Sequence, residues 1–224
     1  ADFHNHKIRK IDPSGNVTTL AGSGSAGSND GQLNQARFNK PNGVAVDSSG
    51  NVYVADYFNH KIRKIDPSGD VTTFAGSGDQ GSTDGQGTSA KFKFPEEVAV
   101  DSSGNVYVAD TGNIKIRKIN PSGDVTTFAG SGSYGFTDGQ GTSAKFRSPS
   151  GVAVDSSGNV YVADQDNHRI RKIDPSGNVT TLAGSVYHGS TDGHGTSARF
   201  KTPIGVAVDS SGNVYVADQD NHKI

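Results

Sequence analysis

The chain has 224 residues, a formal net charge of −2 and a hydrophobic fraction of 31%. The near-neutral charge argues against a nucleic-acid-binding protein. No apolar run approaches the roughly 20 residues that a membrane-spanning helix needs, so we expect a soluble protein. The absence of cysteine excludes disulfides and thiolate metal sites.

An internal repeat determines the predicted architecture. The phrase Val-Ala-Val-Asp begins at Val44, Val98, Val152 and Val206, each 54 residues after the previous one. A constant spacing over three intervals predicts a single array of equal units. The complete units are residues 44–97, 98–151 and 152–205, and partial units occupy residues 1–43 and 206–224.

The first complete unit predicts four short strands in chain order. Two of them, Val44–Asp47 and Val52–Asp56, flank a Ser-Ser-Gly-Asn turn, and a third, Lys61–Asp66, follows the loop Tyr57–His60. The fourth, Val71–Ala75, follows a Pro-Ser-Gly-Asp hairpin turn. β-branched and aromatic residues of this kind favour strands, and no helical period interrupts them.

Both faces of this four-stranded sheet carry apolar side chains. Val52 and Val54 point to one face, while Tyr53 and Ala55 point to the other. A sheet that is apolar on both faces needs a neighbour on each side, as when blades stack around an axis. Residues 76–97 are predicted to form a long connection, held on the core by Ala90, Phe92 and Pro95.

The two ends of the chain hold complementary halves of a blade. Residues 1–43 supply a third and a fourth strand, and residues 206–224 supply a first and a second strand. Residues 217–224 repeat the phase of residues 1–8, which suits a window cut from a longer array or copies that join head to tail. Closure within one chain into a composite blade is the alternative.

Two motifs resemble the NHL repeat family in every unit. They are the run from Pro41 to Asp56 (Pro-Asn-Gly-Val-Ala-Val-Asp-Ser-Ser-Gly-Asn-Val-Tyr-Val-Ala-Asp) and Asn59-His60-Lys-Ile62. The third signature position holds lysine or arginine instead of leucine, and Ile114 replaces the histidine in one unit. The long spacer is similar to that of the bacterial branch with long repeats.

The resemblance implies an all-β fold of NHL-type propeller blades, each a four-stranded antiparallel meander. This chain would supply three full blades and two terminal half-blades. Such propellers are commonly six-bladed and mostly bind proteins, RNA or glycans. A few relatives of the architecture are lyases or lactonases, whose metal ligands converge on the central channel. The Val-Ala-Val-Asp inner strands offer no such non-repeating cluster.

Residues present in every unit are interpreted as scaffold. Asp47-Ser-Ser-Gly-Asn51 lacks the distal glutamate of a calcium loop and is predicted to be a turn with Asx hydrogen bonds. The aspartates that end the second strands are expected to accept backbone N–H groups of the following loop, without a charged partner. These are Asp56, Asp110, Asp164 and Asp218.

Recurring basic residues receive the same interpretation. The histidines His6, His60, His168 and His222 are expected to pack against a neighbouring blade and not to bind metal. Lys61, Arg63 and Lys64 of the third strand are expected to meet Asp66 and Asp56, which are near in sequence. They are interpreted as belonging to a solvated outer strand that needs no binding partner. The sequence therefore predicts no metal, no cofactor and no catalytic residue.

Residues unique to one unit are better candidates for a contact surface. Aromatic and histidine side chains on loops of a rigid scaffold are natural contact anchors. The candidates are Tyr57, Phe58, Tyr134, Phe136, Tyr187 and His188, with Glu96, Glu97 and His194 as further non-repeating residues. Asn16 and Asn178 match the glycosylation sequon, although turn formation explains both asparagines equally well.

These patterns favour a non-catalytic repeat scaffold that binds protein or glycan. In its strongest form the protein assembles head to tail through its half-blades into a ring or an extracellular filament. The expected partners are other copies and a protein or glycan, with no nucleic acid and no membrane insertion. The expected location is extracellular or at the cell surface, with the cytoplasm as the alternative. Competing interpretations are a metal-dependent lyase or lactonase, and a recently amplified or engineered propeller without a ligand.

Overall fold

The computed structural model describes all 224 residues and confirms an all-β array of stacked blades. Three sheets contain five strands each, and a two-stranded sheet lies at either end of the array. No strand pairing joins the two terminal sheets, so the array is not closed into a ring.

The strands follow the predicted period. The N-terminal partial unit holds β1 (Ile8–Ile11), β2 (Val17–Ala21) and β3 (Gly31–Gln32). The first complete unit holds β4 (Pro41–Val46), β5 (Val52–Asp56), β6 (Lys61–Ile65), β7 (Asp70–Ala75) and β8 (Gly85–Gln86). The second holds β9 (Pro95–Val100), β10 (Val106–Asp110), β11 (Lys115–Ile119), β12 (Asp124–Ala129) and β13 (Gly139–Gln140). The third holds β14 (Pro149–Val154), β15 (Val160–Asp164), β16 (Arg169–Ile173) and β17 (Asn178–Gly184), and the last partial unit holds β18 (Pro203–Val208) and β19 (Val214–Asp218).

All helical segments are single 3₁₀ turns of three residues. They are Phe3–Asn5, Tyr57–Asn59, Gly87–Ser89, Thr111–Asn113, Gly141–Ser143, Gln165–Asn167, Gly195–Ser197 and Gln219–Asn221. None of them has the length or the apolar character to cross a bilayer. The segment Tyr57–His60, predicted to be a loop, contains one of these 3₁₀ turns. His60 follows the turn and adopts a left-handed backbone conformation.

Each complete sheet contains a fifth strand that the sequence did not predict. In the first complete blade the strand order is β3-β7-β6-β5-β4. The short strand β3 comes from the connection of the preceding unit and pairs Gly31 with Val71. The connection thereby covers the outer edge of the next blade, which leaves fewer unpaired backbone groups at that edge.

Apolar side chains on the two faces of a blade belong to different cores, as predicted. Tyr53 and Ala55 pack in a cluster with Val98 of the following blade. Val54 packs in a cluster with Ile8 of the preceding unit, and Val52 packs against it. Each blade is therefore held between its neighbours, which is the arrangement of a propeller.

The repeated turns and connections also behave as predicted. Asp47 Oδ1 accepts the backbone N–H groups of Ser49 and Asn51, at 3.0 and 2.9 Å, in an Asx turn. In the connection, Ala90 and Phe92 are fully buried. The scaffold interpretation of these recurring residues is therefore confirmed.

Candidate interaction site at the channel mouth

The first strands of successive units lie side by side around a common axis. β4 packs against β9, β9 against β14, and β14 against β18. A cavity of about 550 Å³ opens at one end of this axis and is lined by residues from all five units. We call it the channel-mouth cavity; its lining includes Phe3, Lys40, Tyr57, Phe58, Glu96 and Glu97.

Aromatic rings form one wall of the channel-mouth cavity. The rings of Tyr57 and Phe58 are 4.9 Å apart in an edge-to-face contact, and Phe94 lies 5.2 Å from Tyr57. Phe3 extends the wall at 6.1 Å from Tyr57. Lys40 Nζ lies 4.9 Å from the centre of the Phe58 ring, within the range of a cation–π contact.

Two carboxyl groups form the adjacent wall. Burial raises the pKa of Glu96 to about 7, and the charges of Glu97 and Asp166 add to the effect. Burial also raises the pKa of Glu97, against the opposing hydrogen bond from the Val98 N–H group. Glu97 occupies the position where the other units have glycine, and its side chain lies where a Cβ on Gly43 would be.

This wall composition defines what the cavity can bind. Aromatic faces stack against sugar rings or apolar side chains, while carboxylates accept hydrogen bonds and a lysine donates them. At the position of Tyr57, the preceding unit has Phe3, whereas the later units have Thr111, Gln165 and Gln219. At the position of Phe94, the other units have Lys40, Ser148 and Thr202. The cavity is therefore aromatic on one side of the axis and polar on the other.

The structure places the six predicted contact residues in three separate pairs, of which one lies in the channel-mouth cavity. Tyr57 and Phe58 lie in the channel-mouth cavity. Tyr134 and Phe136 line a separate shallow pocket with Arg147, and Tyr187 and His188 lie in another with Arg199. Both Tyr134 and Tyr187 are 70% exposed.

Sequence reasoning missed Phe3 and Lys40 as members of the channel-mouth cavity, and Phe94 as the ring that supports Tyr57. Lys40 and Phe94 share a left-handed backbone conformation, with φ of 53° and 49°, at the residue before the proline that begins the next inner strand. A comparison of the residue types at this position between units was the only sequence signal that the cavity has an aromatic and a polar side. Of the sequons, Asn16 is exposed and Asn178 is half-buried at the start of β17.

The interpretation of the third-strand arginines as solvated was wrong. Arg63 is fully buried, and its Nη1 donates to Asp56 Oδ2 at 2.9 Å and to the carbonyl of Arg37 at 3.0 Å. Its Nη2 donates to Asp30 Oδ1 at 2.5 Å and to the carbonyl of Asn29 at 3.0 Å. The arginine thereby links the second strand to the preceding connection. Both segments carry oxygen acceptors at this place, and the guanidinium group donates hydrogen bonds to them.

The same arrangement, which we call the arginine socket, recurs in all three complete blades. Phe38 completes it, with its ring centre 5.3 Å from the guanidinium carbon of Arg63. The equivalent arginines are Arg117, on Asp110 and Asp84, and Arg171, on Asp164 and Asp138.

The second-strand aspartates therefore differ from the prediction in two ways. Asp56, Asp110 and Asp164 each have a charged partner. The backbone N–H that Asp56 accepts comes from Asn39 in the preceding connection, not from the following loop. Burial raises the pKa of Asp56, while the hydrogen bonds from Asn39 and Asn59 and the charge of Arg63 oppose the rise.

Three of the recurring histidines accept a hydrogen bond from the residue that precedes the first strand of the next blade. His60 Nδ1 accepts the N–H of Phe94 at 3.2 Å, and His168 Nδ1 accepts that of Thr202 at 3.2 Å. Burial lowers the pKa of His60 and His168, which suits a neutral ring that accepts a hydrogen bond. No three His, Asp or Glu side chains form a group that could hold a metal ion.

Comparison with protein families gives four matches to one model. The NHL repeat model matches residues 38–65, 92–119, 146–173 and 200–224. Among curated proteins, the chain is 31% identical to NHL repeat-containing protein 2 of Bos taurus over 100% of its length. It spans only 36% of that relative, so it corresponds to about a third of the longer protein.

Solved structures of similar fold include both binding proteins and enzymes. An auxiliary nutrient binding protein from Bacteroides ovatus aligns with a TM-score of 0.71 and 21% identity, over 96% of this chain and 57% of that one. A gluconolactonase from Xanthomonas campestris aligns with a TM-score of 0.62 and 16% identity, over 96% of this chain and 63% of that one. At these identities the likeness shows the fold alone.

Proposed function

Since this chain belongs to the NHL repeat family, we propose that it is a non-catalytic propeller scaffold that binds a glycan or a protein at the channel-mouth cavity. The observation that carries the proposal is the gathering of unit-specific side chains at one place. Tyr57, Phe58, Glu96 and Glu97 all break the repeat and all line this mouth. Phe94, which also breaks the repeat, packs behind them on Tyr57 and Phe58.

Stacking of a sugar ring is the favoured mode of binding. The exposed fraction of Phe58 is 41%, so its ring can be covered by a ligand, and Lys40 and Glu97 lie beside it to bind hydroxyl groups. A peptide with an aromatic or a basic side chain offers the same complementarity. We propose an extracellular or cell-surface location for this activity, because glycans and surface proteins are present there.

The repeated aspartates support a non-catalytic role. Asp47, Asp101 and Asp155 follow the inner strands, but each uses its carboxylate within its own Asx turn. A lactonase or lyase needs different acidic and histidine side chains directed at the channel from successive blades. Because the fold is similar to that of a gluconolactonase, we include an assay for the lactonase alternative as a control. Lactone hydrolysis in the presence of divalent metal would support that alternative.

Self-association through the terminal half-blades is the second part of the proposal. The terminal sheets have two strands each, and together they hold the four strands of one blade. Copies that pair at these ends give a ring if the rotation closes and a filament if it does not. Sedimentation velocity over a range of concentrations tests this part, and a monomer at every concentration would refute it.

A glycan array with matched variants tests the binding part. We expect Tyr57→Ala and Phe58→Ala to lose the signal of the wild-type protein. Tyr134→Ala and Tyr187→Ala are the controls, because these residues are equally non-repeating but lie outside the cavity. Equal loss in all four variants, or no loss in the first two, would contradict the proposed site.

A further inference from the structure

The long connections of the first two complete blades differ at three neighbouring positions. These positions lie within residues 77–83 of the first blade and within residues 131–137 of the second. The first blade has Asp79, Gln80 and Ser82 there, and the second has Ser133, Tyr134 and Phe136. One acid and two polar side chains are therefore replaced by a serine and two aromatic rings.

The backbone is the same in both connections. In the first, the N–H of Gly81 donates to the carbonyl of Phe92 at 3.1 Å. In the second, the N–H of Gly135 donates to the carbonyl of Phe146, also at 3.1 Å. The connection thus folds with either set of side chains, so the fold does not require the two aromatic rings.

Both rings of the second connection are exposed. Tyr134 is 70% exposed and Phe136 is 52% exposed, and with Arg147 they line a pocket of about 510 Å³. The guanidinium carbon of Arg169 lies 4.6 Å from the centre of the Phe136 ring, and its Nη1 donates to the Phe136 carbonyl at 3.3 Å. These contacts hold the ring in place, and a partner that covers both rings would remove apolar area from water.

Two lysines flank the rings without a carboxylate partner. The side chain of Lys145 lies against Gly135, and that of Lys115 lies against the start of the same connection. Neither lysine forms an ion pair, whereas Lys91, one period before Lys145, pairs with Asp79 at 3.1 Å. The serine at the position of that aspartate therefore leaves the positive charge of the second connection uncompensated.

Two arginines add groups that can bind carboxylates. Arg147 replaces the lysine of the neighbouring units, and its side chain is 58% exposed. Its Nε lies 3.9 Å from Asp166 Oδ2, beyond hydrogen-bond distance, and that oxygen accepts the Ser148 hydroxyl at 2.7 Å. Arg169 forms no ion pair. A guanidinium group can bind a carboxylate through two parallel hydrogen bonds, which a lysine cannot form.

We propose that these side chains form a docking surface for an acidic segment of a partner protein. The surface, which we call the basic-aromatic patch, consists of Lys115, Tyr134, Phe136, Lys145, Arg147 and Arg169. It is separate from the channel-mouth cavity, so the inference goes beyond the function proposed above. Carboxylates of the segment pair with the four cations, and an apolar side chain next to them packs on the two rings.

The aromatic rings favour a protein segment over a uniformly charged polymer. Tyrosine and arginine are among the residue types that contribute most to binding at protein interfaces. A polymer that carries only charges would pair with the cations and leave Tyr134 and Phe136 in water. A peptide that combines acidic and apolar side chains satisfies both the cations and the rings.

Selection from a phage-displayed library of random peptides identifies the chemistry of the partner. We expect the peptides enriched on the wild-type protein to combine aspartate or glutamate with an aromatic side chain or leucine. The matched control is Ser133→Asp/Tyr134→Gln/Phe136→Ser, which carries the first blade's own residues and should therefore keep the fold. Enrichment of basic or uncharged peptides, or no difference between the two proteins, would overturn the proposal.

Fluorescence anisotropy with a labelled copy of the most enriched peptide measures the individual contacts. Tyr134→Gln and Phe136→Ser should each weaken binding by about tenfold or more. Lys145→Gln should weaken binding by about twofold to fivefold because it removes one surface charge pair. Lys91→Gln should leave binding unchanged, because Lys91 already pairs with Asp79 in the other connection. Equal effects of the two lysine variants would contradict the assigned patch.

Two further measurements separate this surface from its alternatives. Polyglutamate that binds as tightly as the selected peptide, and equally well to Tyr134→Gln, would reveal a surface for any polyanion and overturn the docking of an acidic and apolar segment. Tyr57→Ala should leave peptide binding unchanged, whereas its loss would place the peptide at the channel mouth and overturn the patch. Tyr134→Ala should leave the glycan signal unchanged, so the failure of either site is visible without the other.

Discussion

The interior blades and the two ends of this array contain the same residues in opposite surroundings. Arg117 is fully buried between Asp110 and Asp84, whereas Arg9, two periods earlier, lies partly in solvent. The difference shows that an identical strand sequence does not by itself fix burial or charge pairing. Those properties come from the neighbouring unit, which supplies half of every socket.

The largest expected effect is the loss of an interior arginine. Arg117→Met should lower the free energy of unfolding by about 3–5 kcal/mol, because it leaves the buried Asp110 carboxylate without its cation. Arg9→Met should cost at most about 1 kcal/mol in the dilute protein, because an exposed ion pair contributes little. Urea unfolding of both variants measures the difference, and equal costs would contradict the socket model.

Truncation of an apolar side chain gives the second comparison. Ile119→Ala should cost about 2–5 kcal/mol, since the side chain is fully buried between two blades. Ile11→Ala, at the same position of the period, should cost under about 1 kcal/mol because most of that side chain is already in water. Thermal unfolding at low protein concentration measures both. A large loss for Ile11→Ala would show that β1 is buried in the working particle.

Glu96 should make the stability of one interior unit depend on pH in a way that the other units do not share. The folded protein holds the Glu96 proton to about pH 7, above the usual value of 4.5 for glutamate, so this group stabilises the fold at low pH. The unfolded chain releases the proton first as pH rises, and stability is lost between those two values.

Glu96→Gln should remove this loss. We expect the variant to be more stable than the wild type by on the order of 2 kcal/mol at about pH 8, with no difference at about pH 4. Urea unfolding at the two pH values measures it. Asp79→Asn is the control, because that side chain is 75% exposed. A Glu96→Gln variant less stable at high pH would contradict the assigned burial.

The smallest effect concerns the hairpin glycines. Gly15 and Gly69 hold the same turn with φ of 84° and 94°, so alanine is strained at both and should cost about 1 kcal/mol. At Gly69 the new Cβ would also meet the Leu33 side chain, whereas nothing lies near Gly15. Urea unfolding should show a larger loss of unfolding free energy for Gly69→Ala than for Gly15→Ala. The difference between the two losses measures the contact with the preceding unit.

Much of the fold could be predicted from the period and from local turn chemistry. The strands, the Asx turn at Asp47 and the two apolar faces all follow from patterns within one unit. The arginine sockets could not be predicted this way, because Asp30 lies 33 residues before Arg63 and alternation within the strand says nothing about the connection. The recurrence of both residues at the same period was the available signal.

The candidate site was predictable only in part. Tyr57 and Phe58 stand out because they break the repeat directly after the second strand. Phe3 and Lys40 come from separate places in the sequence, and only the curvature of the array brings them to the cavity that Tyr57 and Phe58 line. Tyr134 and Tyr187 break the repeat as clearly, yet they lie elsewhere on the surface.

Hydrogen exchange of two equivalent strands tests the central claim most directly. In dilute protein, the amides of β15 should be protected along the whole strand, whereas those of β19 should be protected only where they bond to β18. At high concentration, the outward amides of β19 should gain protection as copies associate. Protection along the whole of β19 in dilute protein, or no gain at high concentration, would contradict the account.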